Sequence, residues 1–435
     1  MEKIAIFWFR RDLRLKDNAG LYHALKSGKK VLPLFIFDTT ILNKLSNKQD
    51  KRVDFIHQTI TELNNQLLEI KSSLLVLNDS PLEAFKQLAT KYVVTEVFAN
   101  HDYEPSAIKR DEEIKHFLAS QNIAFKTYKD QCIFEKDEVT KDDGKPYTVF
   151  TPYSKKWKQK LTPFYIKSYP TEKYIDSFLK LSTQKIPTLF DMGFEKTDLQ
   201  IPSKTIKKEL VTNYTEQRNF PAVKGTSLLS VHLRFGTVSI RELARAAQTL
   251  NETWLNELIW RDFYMMILSH FPHAVTGAFK PQYNRIIWRN NETEFKAWCE
   301  GKTGYPIVDA GMRELNTTGF MHNRVRMIVA SFLVKDLLIN WQWGEAYFAE
   351  KLLDFDLSAN NGGWQWASGS GCDSAPYFRI FNPTEQTKKF DSELIYIKKW
   401  IPELNTLNYP QPIVEHAAAR IRTLAAYKEA LTEVK

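Results

Sequence analysis

Cysteine is scarce. Cys132, Cys299 and Cys372 are the only three in 435 residues, and they stand far apart. No Cys-x-x-Cys pair occurs, so the thiolate frame of an iron–sulfur cluster or a structural zinc is not on offer. A sparse, odd count suits a reducing compartment better than a disulfide-stapled secreted domain. The nine histidines show no metal-ligand spacing, and no metal is expected. Long apolar runs are missing as well. The first one, Ile4–Phe9, meets Arg10 and Arg11 at once and is too short for a signal-peptide core. Nothing elsewhere approaches the roughly 20 apolar residues that a membrane-spanning helix needs. A cytoplasmic protein with no membrane partner is expected. There is no internal repeat and no low-complexity tract.

What is present is ordinary in amount and uneven in placement. Charged residues at 26% and hydrophobic ones at 43% mark a globular chain long enough for two or three domains. Sixty Lys+Arg against 51 Asp+Glu leave a formal charge of +9, which favours a polyanionic partner. Nine of the eleven tryptophans lie at or after Trp254. Bulk hydrophobicity alone would be met by Leu and Ile, so the C-terminal half is asking for aromatic rings, for stacking or for redox chemistry.

Residues 1 to about 130 alternate apolar runs with amphipathic stretches. Ile4–Phe9, Val31–Phe37, Leu74–Leu77 and Val93–Phe98 read as buried strands. Asn18–Ser27, Asp54–Ile70, Pro81–Lys91 and Ile108–Ala119 read as helices. That alternation predicts a doubly wound parallel sheet. Yet no Gly-x-Gly-x-x-Gly phosphate loop follows the first strand. Arg10-Arg11-Asp12-Leu13-Arg14 follows it instead, and a salt-bridged loop is the plain reading. From Cys132 to Thr212 periodicity is weak, as in a long connector. Within it, Tyr147–Lys156 is not featureless but has no assignment from sequence. After Glu209 the strand pattern stops and an all-helical domain is expected.

Four stretches of that half carry chemistry. Gly225–Ser230 is a hydroxyl-rich loop entering a helix; it could hold a phosphate or simply cap the helix. On the segment Trp254–Met266, Glu257, Trp260 and Arg261 fall at i, i+3 and i+4 and share one helix face. That face is a poor core stripe and suits a pocket wall, the alternative being a surface Glu–Arg pair. Asp309–Asn340 reads as two helices broken at Thr317-Thr318-Gly319, with Asn323 and Met327 one turn apart. Arg326 in this apolar helix wants a carboxylate, and Asp354 is a candidate. Finally, Leu353–Trp366 gathers Asp354, Asp356, Asn360, Asn361, Gly362, Gly363, Trp364 and Trp366. Its glycines would let a flat ligand approach the backbone; a loop beside core tryptophans is the alternative.

Together these stretches resemble the photolyase/cryptochrome family. The likeness runs from Trp8–Arg14 through Gly225–Ser230 and Asn256–Arg261. It is dense in Thr303–Ala310 and Met321–Met327, and ends in Asn360–Trp366 and Ala375–Pro383. It covers nearly the whole chain and is similar above all to the bacterial class I branch that acts on cyclobutane pyrimidine dimers. The resemblance implies an α/β antenna domain over 1–131, a connector over 132–205 and a helical FAD-binding catalytic domain over 206–435. It implies FAD held by Tyr214, Thr226, Ser227, Leu228, Leu229, Ser230, Trp254, Arg261, Arg326, Asp354 and Asp356. Asn360 takes the place opposite the flavin's reactive nitrogen, where plant cryptochromes carry Asp and animal ones typically Cys. Trp364, Trp341 and Trp288 match the photoreduction chain, with Trp341 expected to end the helix before Asn360 and Trp288 to lie outermost.

For the substrate, the resemblance implies a dimer pocket of Glu257, Trp260, Asn323, Met327 and Trp366. Six-four photolyases use a histidine pair where this chain has Asn323 and Met327. Arg218, Arg324, Arg379 and Gln386 look like contacts to UV-damaged DNA. The implied reaction is light-driven repair, in which excited reduced FAD passes an electron to a flipped-out dimer. A cryptochrome-like blue-light receptor without repair activity is the alternative; such sensors often carry a long tail, and this chain ends soon after its last helical motif. A second antenna chromophore (folate, deazaflavin or flavin) is possible. Folate-binding members use an Asn-Glu and a Cys-Lys pair; neither is matched, Asn100 and Glu104 being only loosely placed. A monomer is expected.

Overall fold

The computed structural model describes residues 2–432. By contacts the chain forms two compact units. The first takes residues up to 135 together with 161–205 and 228–249; the second takes 136–160, 206–227 and the chain from 250 on.

The first unit is built on five parallel strands: β1 (Lys3–Phe9), β2 (Lys30–Asp38), β3 (Leu75–Asp79), β4 (Val93–Asn100) and β5 (Ala124–Tyr128). Their order is β3-β2-β1-β4-β5. The chain winds outward from β1 in both directions, which is the doubly wound topology expected from the alternating pattern. Helices Ala19–Leu25, Lys51–Glu69, Pro81–Lys91 and Pro105–Ser120 connect the strands. The central strands read as unbroken apolar runs because both faces of the sheet are covered; every residue of Ile4–Phe9 is buried. β5 escaped sequence reading for the opposite reason. It is an edge strand whose five residues are all exposed or half-buried, with Lys126 and Thr127 inside it.

The arginine-rich turn after β1 is a salt-bridged loop. Arg10 bonds the Asp111 carboxylate and the Asn100 carbonyl. Arg11 pairs with Asp102 at 3.2 Å and Glu104 at 3.0 Å. Arg14 reaches Asp130 at 2.7 Å. Asn100 is spent in the same network. Its Nδ2 donates to Asp12 and Asn18, and its Oδ1 accepts from Gly20 N–H at 2.8 Å. Glu104 is likewise taken up by Arg11 and by Arg234 at 2.5 Å. The loosely placed Asn100 and Glu104 both take part in this salt-bridged network.

The stretch expected as a connector divides between the units. Residues 161–205 lie along the sheet unit, with Phe178 bridged to Val31 and Thr197 bonded to Asp54. Residues 136–160 pack in the helical unit through the helix Phe150–Lys160. Of the region after Glu209, 228–249 groups with the sheet unit.

Among its described residues the second unit contains helices and no strand. Its centre is the helix Leu357–Ser368, capped by the Asp356 carboxylate, which accepts from Ser358 and Ala359 N–H at 3.1 and 3.3 Å. It packs on Glu252–His270, Asn323–Ser331 and Trp341–Lys351. Gly362 lets the Tyr264 ring lie directly on its backbone, where a Cβ would collide. The break at Gly319, with φ +76, separates Pro306–Thr318 from Asn323–Ser331 as the sequence predicts. Trp341 is a correction. It starts a helix rather than ending one, because Asn340 caps Trp341–Lys351 through Gln342 N–H at 3.0 Å. The preceding helix has already ended through a π-helical turn, Phe332–Asp336, and Leu338 at φ +51.

Candidate active site

Three helices meeting on Leu357–Ser368 place most of the expected residues. Asn323, Arg326 and Met327 stand on Asn323–Ser331; Glu257, Trp260 and Arg261 on Glu252–His270; Asn360, Trp364 and Trp366 on the central helix. Arg326 Nη2 reaches both carboxylate oxygens of Asp354, at 3.1 and 2.8 Å. The Asp354 side chain is 3% exposed, so this cation is what allows a carboxylate to sit there. Arg326 Nε also donates to the Met321 carbonyl at 2.8 Å, which fixes the guanidinium.

Asn360 is buried, and its Nδ2 donates to the Glu345 carbonyl at 3.1 Å. That bond fixes the amide and leaves Oδ1 over as an acceptor. The neighbouring Asn361 donates to Glu345 Oε1 at 2.9 Å. Burial pushes the Glu345 carboxyl up to about 7 against this single hydrogen bond. Sequence reading missed Glu345, which has no local signature.

Glu257 is paired with Arg218, and the Tyr214 hydroxyl bonds it as well. Burial raises the Glu257 pKa although Arg218 and both hydrogen bonds oppose it. Tyr214, expected at the cofactor, and Arg218, expected at DNA, are thus joined to the expected dimer contact. Burial and the like charges of Arg218 and Arg379 lower the pKa of Arg324. Arg324 donates to Asn219 Oδ1 at 2.7 Å and lies 4.4 Å over the Phe390 ring. Phe390 ends the helix Pro383–Phe390, which also carries Gln386. Arg218 and Arg379 thus both act on Arg324 electrostatically, and Arg379 is exposed.

Trp260 does not stand alone. Phe150 stacks on it with ring centroids 3.7 Å apart and planes at 2°. The signal was in the sequence: Phe150, Tyr153 and Trp157 recur at helical spacing along an otherwise lysine-rich segment. Trp366 meets Phe381 at 6.3 Å and packs with Met327 against the core of the helical unit.

Of the three redox candidates, Trp364 and Trp341 are buried in that core and Trp288 is half-buried at its border. Trp288 is thus the most exposed of the three. Trp364 also meets Trp298 edge-on at 6.1 Å, a neighbour the sequence did not announce. Trp254 is buried at the start of its helix, its N–H bonded to Asn251. In the loop before the helix Ser230–Phe235, Thr226 and Ser227 close one segment of the second unit, while Leu228, Leu229 and Ser230 open a segment of the first.

The helical unit suits a flavin dinucleotide. Asn360 presents an uncommitted amide oxygen, Arg326 a guanidinium anchored by Asp354, and Thr226 and Ser227 two hydroxyls outside regular structure. One helical turn from Asn360, a Cβ on Gly363 would meet nothing within 4 Å, so the helix face is open there.

Comparison with known proteins agrees. Residues 254–408 match the family model for the FAD binding domain of DNA photolyase, and residues 5–173 match that for DNA photolyase. The deoxyribodipyrimidine photo-lyase of Escherichia coli is 39% identical over 98% of both chains. The crystal structure of the archaeal photolyase from Sulfolobus tokodaii, with two FAD molecules and a proposed light-harvesting cofactor, superposes with a TM-score of 0.82. It is 33% identical and covers 98% of this chain and 99% of its own. A Synechocystis cryptochrome shares the fold at TM-score 0.83 and 25% identity, over 98% of this chain and 99% of its own. With two family models in order and a relative matched along almost its full length, the chain belongs to the DNA photolyase family.

Proposed function

We propose that this protein is a deoxyribodipyrimidine photolyase, repairing cyclobutane pyrimidine dimers in UV-damaged DNA with light. The observation that carries the reading is the position of Arg218. It pairs with Glu257 on the Trp260 helix, and its charge reaches Arg324, which in turn feels Arg379. The residues assigned to DNA phosphates are thus joined directly to Glu257, the residue assigned to the dimer.

In this reading Arg218, Arg324, Arg379 and Gln386 hold DNA phosphates, so affinity falls with salt. Photolyases belong to the base-flipping enzymes, and a damaged pair costs less to extrude than intact, stacked bases. Glu257, Asn323 and Met327 line the polar side of the pocket, and Trp260 and Trp366 its stacking side. Glu257 hydrogen-bonds the dimer and stabilises the charge that develops on it. Arg326–Asp354, Asp356, Trp254, Arg261, Tyr214, Thr226 and Ser227 would bind and orient FAD. When bound, FAD supplies the light-driven electron transfer that splits the dimer. Asn360 sets the hydrogen bond at its reactive nitrogen, and Trp364, Trp341 and Trp288 carry an electron inward from solvent. The sheet unit serves as the antenna domain, with folate, deazaflavin or flavin as its chromophore class. A monomer working in the cytoplasm completes the proposal.

A light sensor without repair would share the fold and the tryptophan chain but would not need Glu257, Trp260, Asn323, Met327 and Trp366 together. The reading is tested with Glu257→Ala. The flavin content of the purified protein should be unchanged while repair yield falls; an unchanged yield removes Glu257 from the pocket.

A further inference from the structure

The helix Phe150–Lys160 has no role in the reading above, yet it is fastened to the pocket helix with care. Trp157 Nε1 donates to Asp262 Oδ2 at 3.0 Å, Tyr153 meets Phe263 at 5.1 Å, and Ser154 bonds Asn256 at 3.3 Å. Phe150, Tyr153, Ser154 and Trp157 form the stripe that faces Glu252–His270. At its start Phe150 lies on Trp260 at 3.7 Å and 2°. Aromatic pairs ordinarily prefer offset or edge-on arrangements with centroids about 4.5–7 Å apart. Here the two rings lie face to face, and Phe263 stands edge-on to both, at 5.9 and 5.6 Å. The Phe150 N–H, unpaired within its own helix as the first residue, donates to Asp373 Oδ2 at 3.0 Å. Asp373 sits just past the central helix, so the backbone that carries the ring is fastened to that side as well as to Glu252–His270.

We propose that Phe150 is a positioning residue of lesion recognition. It backs one face of Trp260 and, with Phe263 and Tyr264 around the indole, fixes its plane, leaving the part of the half-buried ring that is still exposed to the dimer. This rests on the assignment of Trp260 to the dimer pocket. An indole held in advance spends no rotamer freedom on binding, so the gain appears in affinity for the lesion and not for undamaged duplex.

The test uses the full-length, FAD-loaded protein and two probes, a thymine-dimer oligonucleotide and its undamaged counterpart. Phe150→Leu keeps an apolar side chain but removes the stack. It should weaken dimer binding roughly two- to tenfold, the range of a lost aromatic pair. Undamaged binding and flavin content should not move. Phe150→Tyr should restore the ratio of the two affinities. In a Trp260→Ala background, Phe150→Leu should change nothing further, because its partner is gone. An unchanged affinity ratio in Phe150→Leu, alongside a reduced one in Trp260→Ala, overturns the proposal alone. Equal losses on both probes, or loss of flavin, make Phe150 merely structural and overturn it too. If Trp260→Ala itself leaves the ratio intact, the pocket assignment falls, and this inference with it.

Discussion

Gly344 offers the sharpest test of how Trp364 is held. It lies on Trp341–Lys351 where that helix crosses the central one. A Cβ there would sit 2.6 Å from Leu333 Cδ2 and far inside contact distance of Cη2 and Cζ3 of Trp364. All these atoms belong to buried side chains in one core, so none can swing away. Helix propensity alone would make Gly344→Ala stabilising by about 1 kcal/mol. Overpacking a dense core costs about 1–3 kcal/mol. The difference predicts a net loss of up to about 2 kcal/mol, readable as a lower denaturant midpoint. The clash is with the outer ring of the indole, which phenylalanine lacks. Trp364→Phe leaves a void and should destabilise by itself. Combined with Gly344→Ala, the new methyl enters that void, and the double variant should be more stable than the two single losses added together. The two are in contact, so such coupling is expected. Simple additivity, or a gain in Gly344→Ala alone, would refute the packing account.

Trp364→Phe should also block photoreduction of the oxidised flavoprotein, while repair by chemically pre-reduced enzyme survives; absorbance under blue light reads the first and dimer repair the second. His416 Nδ1 lies 2.5 Å from buried Asp336, which raises its pKa. That stabilisation is complete below the unfolded value near 6.5 and fades as pH rises through the raised folded value. Hydrogen exchange in His416–Leu431 should therefore quicken above neutrality, and His416→Gln should remove the pH dependence. Lys335 is buried with Nζ on the Ser368 and Tyr377 carbonyls and over the Tyr427 ring at 3.8 Å, and burial lowers it to about 7. Its lowered pKa makes stability rise with pH from about 7 toward the unfolded value near 10.4, and Lys335→Met should flatten that slope in denaturant titrations. Arg326→Ala leaves the buried Asp354 carboxylate without its cation. A fully buried pair would lose about 3–5 kcal/mol and this partly exposed one less, with flavin content falling in parallel.

The parts legible in the sequence were those where physics acts locally. β1 and β2 announced themselves because strands covered on both faces are continuously apolar, and β5 did not because none of its five residues is buried. The Arg326–Asp354 pair followed from one rule, that an arginine in an apolar helix needs a carboxylate close by. The Arg218–Glu257 pair could not follow from any rule of spacing, since 39 residues and two helices separate them. Phe150 was hidden among lysines that read as connector, although its stripe with Tyr153 and Trp157 was there to be counted. Trp341 was misplaced because the apolar run before it looked like one helix. The π-helical turn and the left-handed Leu338 end that helix early, and neither has a composition of its own.

The central claim is repair. FAD-loaded, reduced protein is mixed with an oligonucleotide holding one thymine cyclobutane dimer and illuminated, with a dark sample and a six-four lesion as controls. The account predicts restored thymines only in the light and only for the cyclobutane lesion. A protein that binds FAD and photoreduces normally, yet leaves the dimer intact under light, would contradict it.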